Sequence, residues 1–117
     1  MFHSDSWQSE DDTMAYDRLV RKTTRENLWL HILSTLEEKP RYGYELRNEI
    51  RRRFGFESGE VTAYVVTYAL KRDGYVTVKN EMPSTRGPSR KYYSLTPSGR
   101  ALLEKARSYL KDLSERL

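Results

Sequence analysis

The chain has 117 residues, 37% of them hydrophobic and 32% charged, with a formal net charge of +4 and no cysteine. That length suits one domain with a modest core, burying roughly 65% of the unfolded surface. Without cysteine there are no disulfides and no thiolate chemistry, and no stretch approaches the ~20 apolar residues of a membrane span.

The first residues, Met1 to Asp5, lack the basic and apolar regions of a signal peptide, so the expected location is cytoplasmic. Charge is unevenly spread. Asp5, Glu10, Asp11 and Asp12 fall in residues 1–12, which hold no Lys or Arg, and the rest of the chain is therefore more basic than the net value states. A basic body suits an anionic partner. Residues 1–12 read as a disordered acidic tail. Over 13–23, Tyr16, Leu19, Val20 and Thr23 at helical spacing predict an arm helix too short to stand without a surface to rest on.

Thr23 and Glu26 have the spacing of a capping box opening the next helix. There Leu28, Trp29, Ile32, Leu33 and Leu36 form the apolar stripe of a central core helix, ended by Lys39-Pro40. Arg41 to Leu46 starts a second helix, with Leu46, Ile50 and Phe54 inward and Arg47, Arg51, Arg52 and Arg53 forming a solvated face, up to Gly55. After a short link, Ser58 is expected to cap a third helix, the connection a helix-turn-helix requires.

The third helix is the element around which the rest is organised. Ala63, Val66, Thr67 and Leu70 share one face, small and mostly apolar; Val61, Tyr64, Val65, Tyr68 and then Lys71 or Arg72 share the other. Asp73-Gly74 stops it. Tyr75 to Val78 and Lys91 to Leu95 predict two strands around a turn rich in Gly, Pro and Arg. Thr96 as N-cap and Pro97 at the first helical position then open a last helix. Its Leu103, Ala106, Leu110, Leu113 and Leu117 recur as a heptad seam, which predicts dimerisation; folding back on its own domain is the alternative. The expected fold is mainly α (α+β): a winged helix-turn-helix over 24–96, a dimerisation helix over 97–117, and the short N-terminal arm helix.

Three segments together resemble the PadR family of transcriptional regulators over about residues 26–115. They are Tyr42-Gly43-Tyr44-Glu45-Leu46, then Thr62-Ala63-Tyr64 followed by Lys71-Arg72-Asp73-Gly74-Tyr75-Val76, then Arg86-Gly87-Pro88-Ser89-Arg90-Lys91-Tyr92-Tyr93-Ser94-Leu95-Thr96-Pro97-Ser98-Gly99-Arg100. The resemblance implies a dimeric winged-helix repressor with its C-terminal helix exchanged between subunits, often with a ligand-responsive interface. It places Thr62 and Tyr64 at the start of the recognition helix and Arg86 to Lys91 in the wing. Val65 stands where the family usually has Pro and Thr67 where it prefers Leu, the latter a question for the tightness of the core.

Double-stranded DNA asks for an inserted helix, donors for phosphate and side chains that reach base edges. The candidates are Arg41, nearest the turn; Thr62, Tyr64 and Tyr68 on the third helix; Lys71 and Arg72 at its end; and Arg86, Arg90 and Lys91 in the wing. Glu57 and Glu60 at the helix start suit its dipole but repel phosphate. Trp29 is a core residue on its stripe; alternatively, paired across a two-fold interface, it stacks a small aromatic effector. No enzyme is expected. His3 and His31 are the only imidazoles, and there is no metal-ligand motif, phosphate-binding glycine loop or nucleophile elbow. The competing reading is a winged helix used for protein interaction. No cofactor is expected.

Overall fold

The helix Leu28–Glu38 is packed by three other helices and by the central strand of the sheet. The structure, a computed structural model, describes residues 10–81 and 90–117, with side chains described for 14–79 and 90–117. In chain order it contains α1 (Glu10–Lys22), a 3-10 turn (Arg25–Asn27), α2 (Leu28–Glu38), β1 (Arg41–Tyr42), α3 (Gly43–Phe54), α4 (Glu60–Arg72), β2 (Val76–Glu81), β3 (Arg90–Leu95) and α5 (Pro97–Arg116). The apolar stripe of α2 puts Leu28, Ile32, Leu33 and Leu36 in the core. Leu46 and Ile50 of α3, Ala63 and Leu70 of α4, Val76 of β2, Tyr93 of β3 and Leu103 of α5 close around them. His31 is a packed histidine. Its Nε2 donates to the Thr23 carbonyl at 2.8 Å, and its ring meets Phe54 and Phe56 edge-on at 4.5 and 4.9 Å.

The sheet has three antiparallel strands in the order β1-β3-β2. Strand β2 runs beside β3 from Val76 opposite Leu95 to Glu81 opposite Arg90, while β1 adds only Arg41 opposite Tyr93 and Tyr42 opposite Tyr92. Both predicted wing strands are present. The third strand was not foreseen: Arg41 and Tyr42, expected as the start of a helix, are extended, and α3 begins at Gly43. Two residues are too few to show a period, so only pairing with β3 reveals them.

Local end signals divide in the same way. Gly55 and Gly74 take φ of +76° and +86°, the left-handed stops expected after α3 and α4. The capping box at Thr23 does not form: its hydroxyl donates back to the Leu19 carbonyl at 2.8 Å, closing α1, and Glu26 pairs with Lys22. Ser58 does not cap α4; Gly59 holds that position. Helix α1 begins at Glu10, inside the stretch read as tail, and residues 1–9 lie outside the described residues.

Helix α5 starts on a close contact. The Thr96 hydroxyl accepts from the Gly99 N–H at 2.9 Å and donates to the Gly74 carbonyl at 2.7 Å; the Thr96 N–H donates to the Tyr75 carbonyl at 3.2 Å. A Cβ on Gly99 would stand 2.1 Å from the Tyr75 oxygen and 2.7 Å from Leu95 Cδ1. Past that anchor, Glu37 of α2 receives Arg107 at 2.7 Å and Arg100 at 3.5 Å. The Arg107 hydrogen bond holds the Glu37 carboxyl below its usual range.

The heptad seam is split by the fold. Leu103 is 1% exposed and belongs to its own subunit's core, which corrects its assignment to a dimer seam; Ala106 is half-buried. From Arg107 onward every residue is exposed, Leu110, Leu113 and Leu117 included, because α5 outruns the body. Helix α1 is likewise exposed from Met14 to Lys22. Replacing Gly99 by alanine is expected to cost about 1–3 kcal/mol, towards the upper end because the opposing oxygen is backbone. A chemical denaturation curve with an unshifted midpoint would mean that α5 is free to lift off the turn.

Candidate nucleic-acid interface

Helix α4 separates its two faces as its sequence dictates. Ala63, Thr67 and Leu70 are buried, whereas Val61, Tyr64, Val65 and Tyr68 are 76, 55, 56 and 56% exposed. The buried Thr67 hydroxyl donates to the Ala63 carbonyl at 2.7 Å, so threonine fits this core position with its polar atom satisfied. At a turn of 100° per residue, the line opposite the core runs through Val61, Val65, Tyr68 and Arg72.

One flank of that crest faces the sheet across a cleft of about 250 Å³ lined by Tyr64, Tyr68, Lys71, Val78, Lys91 and Tyr93. Here the structure brings together four of the residues predicted from sequence: Tyr64, Tyr68, Lys71 and Lys91. Tyr93 forms the floor. Burial raises its phenol above the usual pKa, with nearby Tyr64 adding to the effect, so it remains a neutral hydroxyl at neutral pH. A second groove, about 450 Å³, opens between α3 and α4 and is lined by Tyr44, Arg47, Val61 and Tyr64 among others. At the base of the wing Arg90 lies over the Tyr42 ring at 4.8 Å, and Tyr42 meets Tyr92 edge-on at 5.1 Å. This stack holds the guanidinium on an uncharged ring, a contact that leaves its charge in place.

The other predicted residues are placed differently. Thr62 is exposed on the flank of α4 turned away from the wing. Arg72 is exposed but pairs with Asp73 at 3.1 Å, a surface contact weak enough to open. Arg86 lies outside the described residues. Arg41 is a correction: it is 7% exposed, its guanidinium held on the Glu38 carboxylate and 3.5 Å from the Thr35 carbonyl, so it braces β1 against α2 rather than facing solvent. Glu57 answers Arg51 at 2.9 Å, so its charge is opposed by a neighbour within the molecule. Trp29 is partly buried against the core, its indole N–H donating to Asn27 at 3.1 Å. The residues that sequence reasoning left out are Tyr42, Tyr44 and Tyr93. A tyrosine on each side of Gly43 was a signal, but only the sheet register carries Tyr93 beneath α4.

A three-helix core whose last helix stands proud beside a two-stranded cationic wing is a winged helix-turn-helix. The chain belongs to the PadR-like family of transcriptional regulators, whose family model matches residues 32–105. An uncharacterised protein of Lysinibacillus sphaericus is 38% identical over 74 residues, covering 62% of this chain and 67% of that one. A PadR-like transcription factor of Bacteroides fragilis superposes with a TM-score of 0.72 at 27% identity, covering 86% of this chain and 95% of that one. Bacillus subtilis PadR, solved in complex with operator DNA, shares the fold at a TM-score of 0.61 and 24% identity, over 67% of this chain and 45% of that one.

Arg41→Ala is expected to lower stability by about 1–3 kcal/mol, because it empties the space filled by the buried side chain and takes a donor from the Thr35 carbonyl. Denaturation followed by intrinsic fluorescence checks this; an unchanged midpoint would return Arg41 to the list of free surface cations.

Proposed function

We propose that this chain is a sequence-specific regulator binding double-stranded DNA, acting as a homodimeric repressor on a near-palindromic operator. The observation that carries the reading is the two-faced α4. Its core side holds Ala63, Thr67 and Leu70, and its outer side is exposed, with Lys71 on its wing flank, Lys91 across the cleft and Arg90 at the wing base. Inserted in the major groove, α4 offers Thr62, Tyr64 and Tyr68 to bases and nearby phosphates, while Lys71, Arg72, Arg90 and Lys91 meet the backbone. Arg86 joins them by its place in the wing sequence. The operator complex of the B. subtilis relative, which has the same fold, supports this mode of use.

Dimerisation is supported by two apolar stripes without a partner in the described structure. Met14, Leu19 and Val20 of α1, Tyr109, Leu110 and Leu113 of α5 and the following Leu117 are all exposed, apolar groups that a second copy would cover. A seam on α5 shortened by the loss of Leu103 is too brief to hold two chains alone, so α1 of one copy is assigned to cover α5 of the other. Two-fold symmetry then presents the reading heads to half-sites one helical turn apart, about 34–36 Å.

Tyr64→Ala, and separately the pair Arg90→Ala with Lys91→Ala, is expected to abolish operator binding in a gel-shift assay with little change in melting temperature. The unmodified protein should lose about 10³–10⁵-fold in affinity between roughly 50 and 200 mM salt if about 6–10 phosphates are neutralised. Salt-independent capture, or none, would favour the protein-interaction reading. Leu110→Glu is expected to sediment as a monomer; a dimer persisting in that variant would put the interface elsewhere.

A further inference from the structure

The crest of α4 has an unusual composition for a helix that reads bases. Exposed residues from Glu60 to Tyr68 are Glu60, Val61, Thr62, Tyr64, Val65 and Tyr68. Among them is no Arg, Lys, Asn or Gln, the side chains that pair in two places with guanine or adenine edges in the major groove. Glu60 only accepts, so it can take a bond from a cytosine or adenine amino group but has nothing to give guanine's acceptor edge. Thr62, Tyr64 and Tyr68 carry single hydroxyls that cannot form such paired contacts. On the line opposite the core, ahead of Tyr68 and of Arg72 at the helix end, stands a pair of branched apolar side chains, Val61 and Val65, one turn apart. Their spacing of about 5–6 Å spans between one and two base steps.

Only thymine presents an apolar group in the major groove, its C5-methyl. We infer that Val61 and Val65 select the operator by burying thymine methyl groups, so that this regulator reads its half-sites mainly by methyl contact rather than by paired hydrogen bonds. The inference rests on the DNA reading above and adds the base class that each half-site must carry. It also accounts for valines left in water in the free protein: their apolar surface is covered when a methyl meets them, and the gain is lost wherever cytosine or a purine takes the thymine's place. The phenols beside them then position the helix through single donors to phosphate or base edges.

The test begins with duplexes enriched by the intact protein from a random library at low salt. Thymines of the enriched half-sites are then replaced one at a time by deoxyuridine, which lacks the methyl and keeps every pairing atom. Affinity is expected to fall about four-fold at each methyl contacted, and on the order of 100-fold when contacts in both half-sites are removed together. Val61→Ala or Val65→Ala, at exposed positions that leave the core untouched, should flatten the thymine-to-uridine difference at its own position while the other positions keep theirs. Full affinity for uridine-substituted sites that are otherwise bound normally would overturn the methyl reading and leave DNA binding standing. Half-sites enriched without thymine would do the same. A library from which no duplex is enriched would overturn the DNA reading and this inference with it.

Discussion

The contact on which the molecule depends is the seating of α5 on the turn between α4 and β2. Gly99 lies so close to the Tyr75 carbonyl that no side chain fits between them, and Thr96 ties the same turn by its hydroxyl to Gly74 and by its amide to Tyr75. Three elements with different tasks meet within a few residues. Helix α4 ends there, the wing's β2 begins and its β3 finishes there, and the tail helix departs. The tight approach leaves no slack, so the direction of α5 is tied to the direction of α4. If two copies join through their tails as proposed, this junction ties the geometry of that interface to the spacing of the two α4 helices.

Charge serves two purposes in this chain, and the structure separates them. Glu38 receives Arg41 and Arg53, Glu49 receives Arg52 and Arg53, and Glu37 receives Arg100 and Arg107. The Arg52 hydrogen bond holds Glu49 at about 2, so it remains an anion at any physiological pH. These pairs lie along α2, α3 and α5, away from the α4 crest, and engage much of the arginine content within the molecule. Lys71, Arg90 and Lys91 face the open cleft or the wing base instead. The basic composition therefore overstates the charge left open on the α4 side of the molecule, where a few cations stand among aromatic and branched apolar groups.

The α4 surface exposes its apolar groups in a narrow line. Its valines and phenols are spread along one helix rather than gathered in a broad patch, and lysines border them on the wing side. The stripes on α1 and α5 are a different case, since they lie on helices that leave the body. Under the proposed function, one set of exposed apolar groups enters a groove and the other meets a second copy of the chain.

The amino-acid sequence by itself determined whatever a backbone period or a local end signal can express. It set the two faces of α4, the inward stripes of α2 and α3, the left-handed stops at Gly55 and Gly74, and the start of α5 at Thr96-Pro97. Each depends on residues within one or two turns, so each is legible without knowing what lies across from it. Tertiary structure alone decided which partner each face meets. Leu103 and Leu110 sit on the same heptad stripe, yet one is core and the other bare, because the body stops beneath the middle of α5. Arg41 looks like a surface cation until β1 pairs with β3 and draws it against Glu38, and Tyr93 reaches the floor of the cleft through sheet register. A period names a face; only the packed chain supplies the surface against it.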